Sequence, residues 1–550
     1  MIKYRVIVPI LLLAVLPLGY FAARTGLLSR PWARRGFLAA AVLMVLLVLP
    51  ARGMDFTHVK RMNLFIAAAT ALILVLRQSG VGWLRDRARY LRALGALAAI
   101  AAVAYLNFLS FHGEKTWVHY HDVAHYYLGS KYFRELGYGN LYTAMLRAEA
   151  EVYANHFRTI EARDLHSGDL VHIRGLLQSS DPVKAAFAPE RWEAFKADVA
   201  YFREALGPQY GALFQDHGFN PTPVWAAIGG TLANLVPAGS ATGIFLLTLI
   251  DPALILAAFA AVYWAFGLEA ALLAAIHFCV IFGAGFGWTG GAFLRFLWFF
   301  GVVAGFSALA KGRHATAGAL FALATVLRIF PAFFAAGLLG KVMGDGLMHG
   351  GIERGYRRFF AAFGLTAVLL GGLTLGAFGA GAWGEFRRNM DQHRTTVSPN
   401  IVGITGVLAY QNRPPLVTQE ELRDIRDRRE RIYRAQLLTV FALAVLACAA
   451  ASPFLDDVGA AALGAPLIFL GLNLASYYYA FLVVLVLAHR GHPRRLALVF
   501  TAEAVSHALL LFEEREALLY VYRSLVLLYL FLALPLEQWR EPPGRGKMET

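Results

Sequence analysis

Charge is scarce in this chain. Asp, Glu, Lys and Arg make up 16% of its 550 residues against 58% hydrophobic, which excludes a water-soluble core of ordinary composition. Cysteine is scarcer still: Cys279 and Cys448 both fall inside apolar stretches, so neither a disulfide framework nor a Cys-based metal site is indicated, and redox chemistry is not expected. No internal repeat is found. The first apolar segment, Val6 to Ala23, lacks a small-residue cleavage site and is read as retained. Acidic residues are outnumbered, 36 to 51, for a net charge of +15. In a soluble protein that balance would suggest nucleic acid. Here much of the Arg lies in short loops between apolar segments, so membrane topology and anionic lipid account for it, and no nucleic-acid partner is expected.

What the chain has in abundance is apolar runs. Windows of about 17–25 apolar residues can each span a hydrocarbon core roughly 30 Å thick. The expected fold is therefore an all-α polytopic integral membrane protein with about 13–16 transmembrane or re-entrant helices and an outward-facing loop bearing amphipathic helices. Four apolar segments, 5–24, 36–51, 62–77 and 91–111, precede a long polar stretch. Loop one carries Arg24, Arg30, Arg34 and Arg35 and loop three Arg77, Arg85, Arg87, Arg89 and Arg92, against Arg52, Lys60 and Arg61 in loop two. The positive-inside bias puts loops one and three in the cytoplasm and the loop His112 to Asn220 outside. Within that loop Pro189 opens an amphipathic helix with Trp192, Phe195, Val199, Phe202 and Leu206 on one face, closed by Gly207-Pro208 and expected to rest on the interface or pack on the bundle.

Further spans follow between residues 222 and 381. A second outer segment, 382–434, ends in a charged stretch, 420–434, that reads as an interfacial helix. The run 315–340 is interrupted by Arg328 and Pro331. A lone Arg in mid-bilayer is costly, by about 2.5–3.5 kcal/mol on insertion scales, so a broken hairpin that lifts Arg328 to the outer side is favoured over a single crossing. Residues 1–90 read as additional N-terminal helices, 91–490 as the core, and 491–550 as C-terminal helices with a cytoplasmic tail.

Four polar clusters meet the outer leaflet on this topology: Asp122 with His121, His125, Tyr126 and Tyr127; Arg328; the segment Asn389 to Asn400; and Asn473 to Tyr479. One carboxylate among several cations suits transfer of a group from an anionic, lipid-bound donor to a hydroxyl. A sugar esterified to a lipid phosphate already carries a good leaving group. The reaction then needs a base for the acceptor hydroxyl, which Asp122 provides, and fixed positive charge for the departing phosphate, from Arg328 with Arg387, Arg388, Arg394 and His393. Asp122 also fits a helix N-cap, a role compatible with the first. The tyrosines at 477–479 equally fit an interfacial aromatic belt. His121 and His125, at i and i+4, have the spacing at which one helix face grips zinc, but no third ligand is marked out among His112, His119, His156, His166, His172 and His217. Histidines beside a phosphate or sugar are the more economical account.

These residues resemble the GT-C superfamily of polytopic glycosyltransferases, most closely glycosyltransferase family 87, the polyprenyl-phosphate-mannose-dependent mannosyltransferases. Asp122 to Tyr142 is similar to that family's Asp-bearing first loop, and Phe219-Asn220-Pro221-Thr222-Pro223 to its Tyr-Pro-Pro entry to a span. Arg328-Ile329-Phe330-Pro331 resembles its Lys-x-x-Pro element. Ser398-Pro399-Asn400-Ile401-Val402-Gly403 resembles its Asn-Gln-Ser-x-x-Gly stretch, and Ser476-Tyr477-Tyr478-Tyr479 its Ser-Trp-x-His segment. The chain departs in having three extra spans before the Asp loop, Arg for Lys at 328, and altered forms of the last two motifs.

The resemblance implies inverting sugar transfer without a metal or other cofactor, from a polyprenyl-phosphate donor to a lipid-linked or envelope glycan. Asp122 would be the base and Arg328 the phosphate contact, with Asn400, Ser476, Tyr477 and Tyr479 among the substrate-binding residues. The expected location is a bacterial inner membrane, with the site facing the periplasm. The alternative is a lipid transporter or flippase that breaks no bond; such proteins more often show internal repeats and paired broken helices.

Overall fold

The computed structural model describes residues 56–540 apart from 81, 113–115, 396–398 and 411–418. The segments expected at 5–24 and 36–51, Ser398 and the terminal tail lie outside the described residues. Those that are described form an all-α membrane protein, with only two short two-stranded β-ladders. Six helices are long and apolar enough to cross a membrane, at Val59–Gln78, Arg87–Tyr105, Ala241–Phe266, Arg354–Gln392, Asp427–Phe454 and Glu516–Gln538. Shorter apolar helices at Leu268–Val280, Leu297–Ala310, Asp457–Gly471 and Ser476–Ala488 fill the space between them.

Helix α1 (Phe56–Gln78) is followed by α2 (Arg87–Tyr105), whose start is capped by the Asp86 carboxylate accepting from the Ala88 and Arg89 N–H groups. Residues 120–218 then fold as a helical domain at one end of the bundle. Its members are α3 (Tyr120–Lys131), α4 (Leu141–Val152), the hairpin β1 (Glu161–Arg163) with β2 (Leu170–His172), and α5 (Pro189–Leu206). The spacing predicts α5, and its apolar face is buried as expected, against α3 and α4. Buried Asp198 on α5 fastens the domain: it pairs with Lys131 at 3.0 Å and accepts from Tyr132 Oη at 2.8 Å and the Gly239 N–H at 2.7 Å.

Arg328 closes helix α6 (His314–Arg328). Ile329, at φ 56°, and Pro331 then break the chain before α7 (Ala332–His349). Both helices return to one carboxylate. Asp457 receives Lys341 Nζ at 2.8 Å, Tyr356 Oη at 2.8 Å and a His314 ring nitrogen at 2.9 Å, so the run 315–340 is a hairpin and not one crossing.

The second outer segment differs from the sequence reading in being helical. The range α8 (Arg354–Thr395) is two helices that meet at a kink at Gly379 (φ 75°), close to the expected start of that segment, and Trp383–Thr395 lies on the second of them. Helix α9 (Gln419–Ala451) carries the charged stretch 420–434 straight into a span, where a separate interfacial helix is expected. Period and charge mark a polar helical face, but not whether the helix stops at its end.

Leu365, Val368 and Leu373 on α8, with Leu438 and Leu446 on α9, are 59–71% exposed, an apolar surface that fits contact with lipid. Substituting Asp457→Ala would leave Lys341 mostly buried without its carboxylate, and is expected to cost on the order of 3 kcal/mol. A thermal unfolding midpoint in detergent equal to that of the wild type would show the latch to be energetically idle.

Candidate active site

The site is built on the first turn of α3. His119 is the N-cap, its Nδ1 accepting from the Asp122 N–H at 3.1 Å, so Asp122 is not the cap and its carboxylate points elsewhere. His119 is in turn positioned by a glycine-rich loop: its N–H donates to the Gly291 carbonyl at 2.9 Å. Gly291 has φ 62°, and a Cβ there would lie 1.9 Å from the Trp117 carbonyl oxygen, so only glycine fits.

That loop delivers Arg295. Its guanidinium forms an ion pair with Asp122 Oδ1, both side chains being largely buried, and lies 5.1 Å from the centre of the Tyr477 ring. The Arg295 backbone is fixed separately. Buried Asp251 accepts from the N–H groups of Arg295 and Phe296 at 3.0 and 2.9 Å. Asp122 Oδ2 is buried with no hydrogen-bond partner among the described residues.

One turn along α3, Tyr126 donates to Asn220 Oδ1 at 3.3 Å and packs edge-on against Trp225. It lies in the field of Arg328, Asp122, Tyr478 and Arg295, and burial pushes its phenol up to about 12. Arg328 approaches from the hairpin tip. Its guanidinium sits 5.7 Å from the Tyr478 ring centre, and its Nε is buried and unpartnered among the described residues. Phe330 packs on Tyr478 and Trp298 beside it.

The segment carrying these tyrosines is held by a second ladder, β3 (Ile401–Val402) against β4 (Leu474–Ala475). The Ser476 N–H extends it by donating to the Asn400 carbonyl at 2.9 Å, and Tyr479 Oη donates to the Val402 carbonyl at 3.1 Å.

Of the residues singled out from sequence, Asp122, Tyr126, Arg328 and Tyr477 meet around one point. Asn400, Ser476 and Tyr479 form the wall behind the tyrosines. Tyr127 faces away from this point, with its hydroxyl on Asp198. Arg387 and Arg388 are exposed near the end of α8, and no described contact joins them to Asp122. His393 and Arg394 lie on the last turn of that helix, with their side chains outside what the structure describes. His121 and His125 turn toward Asp216, the ligand atoms of all three lying within 4.8 Å of one another, a group that could hold a metal ion.

Arg295 and Asp251 lie outside the four polar clusters expected from sequence, whereas Tyr478 falls within the cluster Asn473 to Tyr479. The rule that draws attention to Arg328, a lone charge in an apolar run, applies equally to Arg295 and Asp251.

No protein-family model matches this chain, and neither does any curated protein or solved structure.

Asp122 and Arg295 are expected to be energetically coupled. In a double-mutant cycle with Asp122→Asn and Arg295→Met, followed by thermal unfolding, the coupling should reach about 1–3 kcal/mol; additive effects would mean that the pair does not hold the site together. His119 adds a pH dependence. Burial pulls its imidazole from the usual 6.5 to about 4, against the pull of the Asp122 carboxylate, and its capping nitrogen must be unprotonated to accept. The unfolded chain therefore takes up this proton first, and stability contributed by His119 is lost as pH falls from about 6.5 toward about 4. His119→Asn, which can cap without titrating, should flatten that part of the melting profile; an unchanged profile would assign the drop to other groups.

Proposed function

We propose that this protein is a membrane glycosyltransferase of GT-C type, transferring a sugar from a polyprenyl-phosphate donor to a hydroxyl of a lipid-linked or envelope glycan. The observation that carries the reading is the meeting of one carboxylate, Asp122, with two guanidinium groups, Arg295 and Arg328, against a tyrosine wall at one end of an apolar bundle. The charges there sum to one positive, which suits an incoming phosphate. The five motif segments of the resemblance support it, because they are neighbours in space: Asn220 bonds Tyr126, Arg328 lies by Tyr478, and the Asn400 carbonyl holds Ser476.

In this reading the acceptor hydroxyl approaches the unpartnered Asp122 Oδ2, which takes its proton as the oxygen attacks the anomeric carbon. The bond from that carbon to the donor phosphate breaks with inversion, and the phosphate leaves toward Arg295 and Arg328. Arg295 orients the carboxylate through Oδ1 and is close enough to share its charge with the phosphate. Asp122 acts as general base, Arg328 and Arg295 bind phosphate, and Tyr126 and Tyr477 line the sugar subsite.

In this reading the site faces outward, to the periplasm of a bacterial inner membrane; the gathering of His314, Lys341 and Arg77 at the bundle's opposite end supports it through the positive-inside bias.

The test is mass spectrometry of lipids after incubating purified protein with a panel of polyprenyl-phosphate sugars and crude envelope lipid. The wild type should add a hexose- or pentose-sized mass to an acceptor. Asp122→Asn should lose about 10²–10⁴-fold in rate, and Arg328→Met should lose both rate and donor affinity. Donor lipid that crosses sealed vesicles chemically intact, with no acceptor gaining mass, would favour a transporter instead.

A further inference from the structure

We propose that His121, His125 and Asp216 form a site for a divalent cation of the zinc class, beside the Asp122 turn but not including it. The inference does not rest on the transfer reading, and it departs from the absence of metal that the family resemblance implies.

The geometry begins with α3, which puts His121 and His125 one turn apart on a single face. The third donor comes from a remote segment: Asp216 follows the 3₁₀ turn Gly207–Gln215, and its Oδ2 lies 3.8 Å from His121 Nδ1. Two imidazoles and a carboxylate favour zinc, cobalt or nickel over magnesium or calcium, whose sites are built from oxygen. Tetrahedral zinc with bonds of about 2.0–2.1 Å draws its ligand atoms to roughly 3.3 Å apart, so this set must contract slightly from its 4.8 Å span. Asp216, its side chain about half exposed at the end of a turn, is the member able to move.

A second observation points the same way. Two of the three donors, His125 and Asp216, are already oriented from behind, as metal ligands are by the groups that surround them. His125 Nδ1 lies 2.8 Å from the His121 carbonyl, which as a donor there leaves the lone pair on Nε2. The His121 ring packs edge-on against that of His125, with centroids 5.0 Å apart. Asp216 Oδ1 accepts the His217 N–H at 2.8 Å, which leaves Oδ2 for the site. Two groups compete at His125 Nε2: Tyr142 Oη, 2.8 Å away, which also accepts the Gly218 N–H at 3.1 Å, and the Leu213 carbonyl at 3.3 Å. A cation at Nε2 would replace the Tyr142 hydroxyl there while leaving its contact with Gly218.

Three protein ligands leave a fourth position for water or a substrate oxygen. Such a cation would clamp the 207–218 segment to the helix that carries Asp122.

The experiment uses the full-length protein in detergent, stripped with a chelator and re-equilibrated with Zn²⁺ alone or Co²⁺ alone. Elemental analysis should find one equivalent of zinc, and bound cobalt should give the visible spectrum of a four- or five-coordinate site. His121→Asn and Asp216→Asn should each weaken binding by at least about a hundredfold, more than the loss of a supporting residue. His156→Asn, on the domain surface, should not. Tyr142→Phe, which removes the competing hydroxyl, should bind zinc as tightly as the wild type or more so; a purely hydrogen-bonded cluster offers no such gain. Wild-type protein that retains well under one equivalent, or His121→Asn and Asp216→Asn variants that bind like the wild type, would overturn the site. Because the wild-type stoichiometry and the cobalt spectrum decide without a variant, a misfolded substitution does not leave the question open.

Discussion

The Asp122–Arg295 ion pair joins segments 173 residues apart at the end of an apolar bundle, and the geometry around it follows from the need to keep both charges compensated. A buried charge stripped of its partner costs about 3–5 kcal/mol, so neither group can be placed without the other. Arg295 is consequently held twice, its side chain by Asp122 and its backbone by Asp251. The glycine-rich loop before it can approach α3 closely enough to carry His119, and His119 frees the Asp122 carboxylate by taking over the cap. The tyrosines complete the arrangement. Tyr477 and Tyr478 present ring faces to the two guanidinium groups, which eases the burial of positive charge in a region with few other acids.

The opposite end of the bundle uses the same physics for a different purpose. Arg77 and Tyr90 converge on Glu269 at 2.7 and 2.9 Å, and His314, Lys341 and Tyr356 converge on Asp457. Each carboxylate there is held by two or three neighbours and ties helices together. At the Asp122 end one carboxylate oxygen and one guanidinium nitrogen remain without partners among the described residues. Satisfied networks lock a structure, whereas unsatisfied polar atoms in a low-dielectric setting are where a ligand gains most.

Much of this was legible in the chain. Apolar runs identified α1 and α2, the Pro189 start and Gly207 stop delimited α5, and the Arg328–Pro331 interruption announced the hairpin, because propensity, periodicity and the energetic penalty of a lone Arg act locally. The extent of α9 was not legible. A helix continues through a change of polarity at no local penalty, and only the site where it meets other elements reveals that it projects past the hydrocarbon. Asp122, Tyr126, Arg328 and Tyr477 were found as single candidates, but Arg295 was passed over although the same reasoning covered it.

Composition and periodicity alone determined that this chain is helical and belongs in a bilayer, since the free energy of placing apolar side chains and backbone amides in lipid depends on local sequence. They also determined that a few polar clusters had to be sheltered within the bundle or kept at its ends. Tertiary structure alone decided which clusters meet. Arg295 is paired with Asp122, Asp216 lies beside His121 and His125, and Arg387 and Arg388 remain exposed. Charge compensation and metal-ligand geometry are set by distances between segments far apart in the chain, and packing fixes those distances only after the helices have formed.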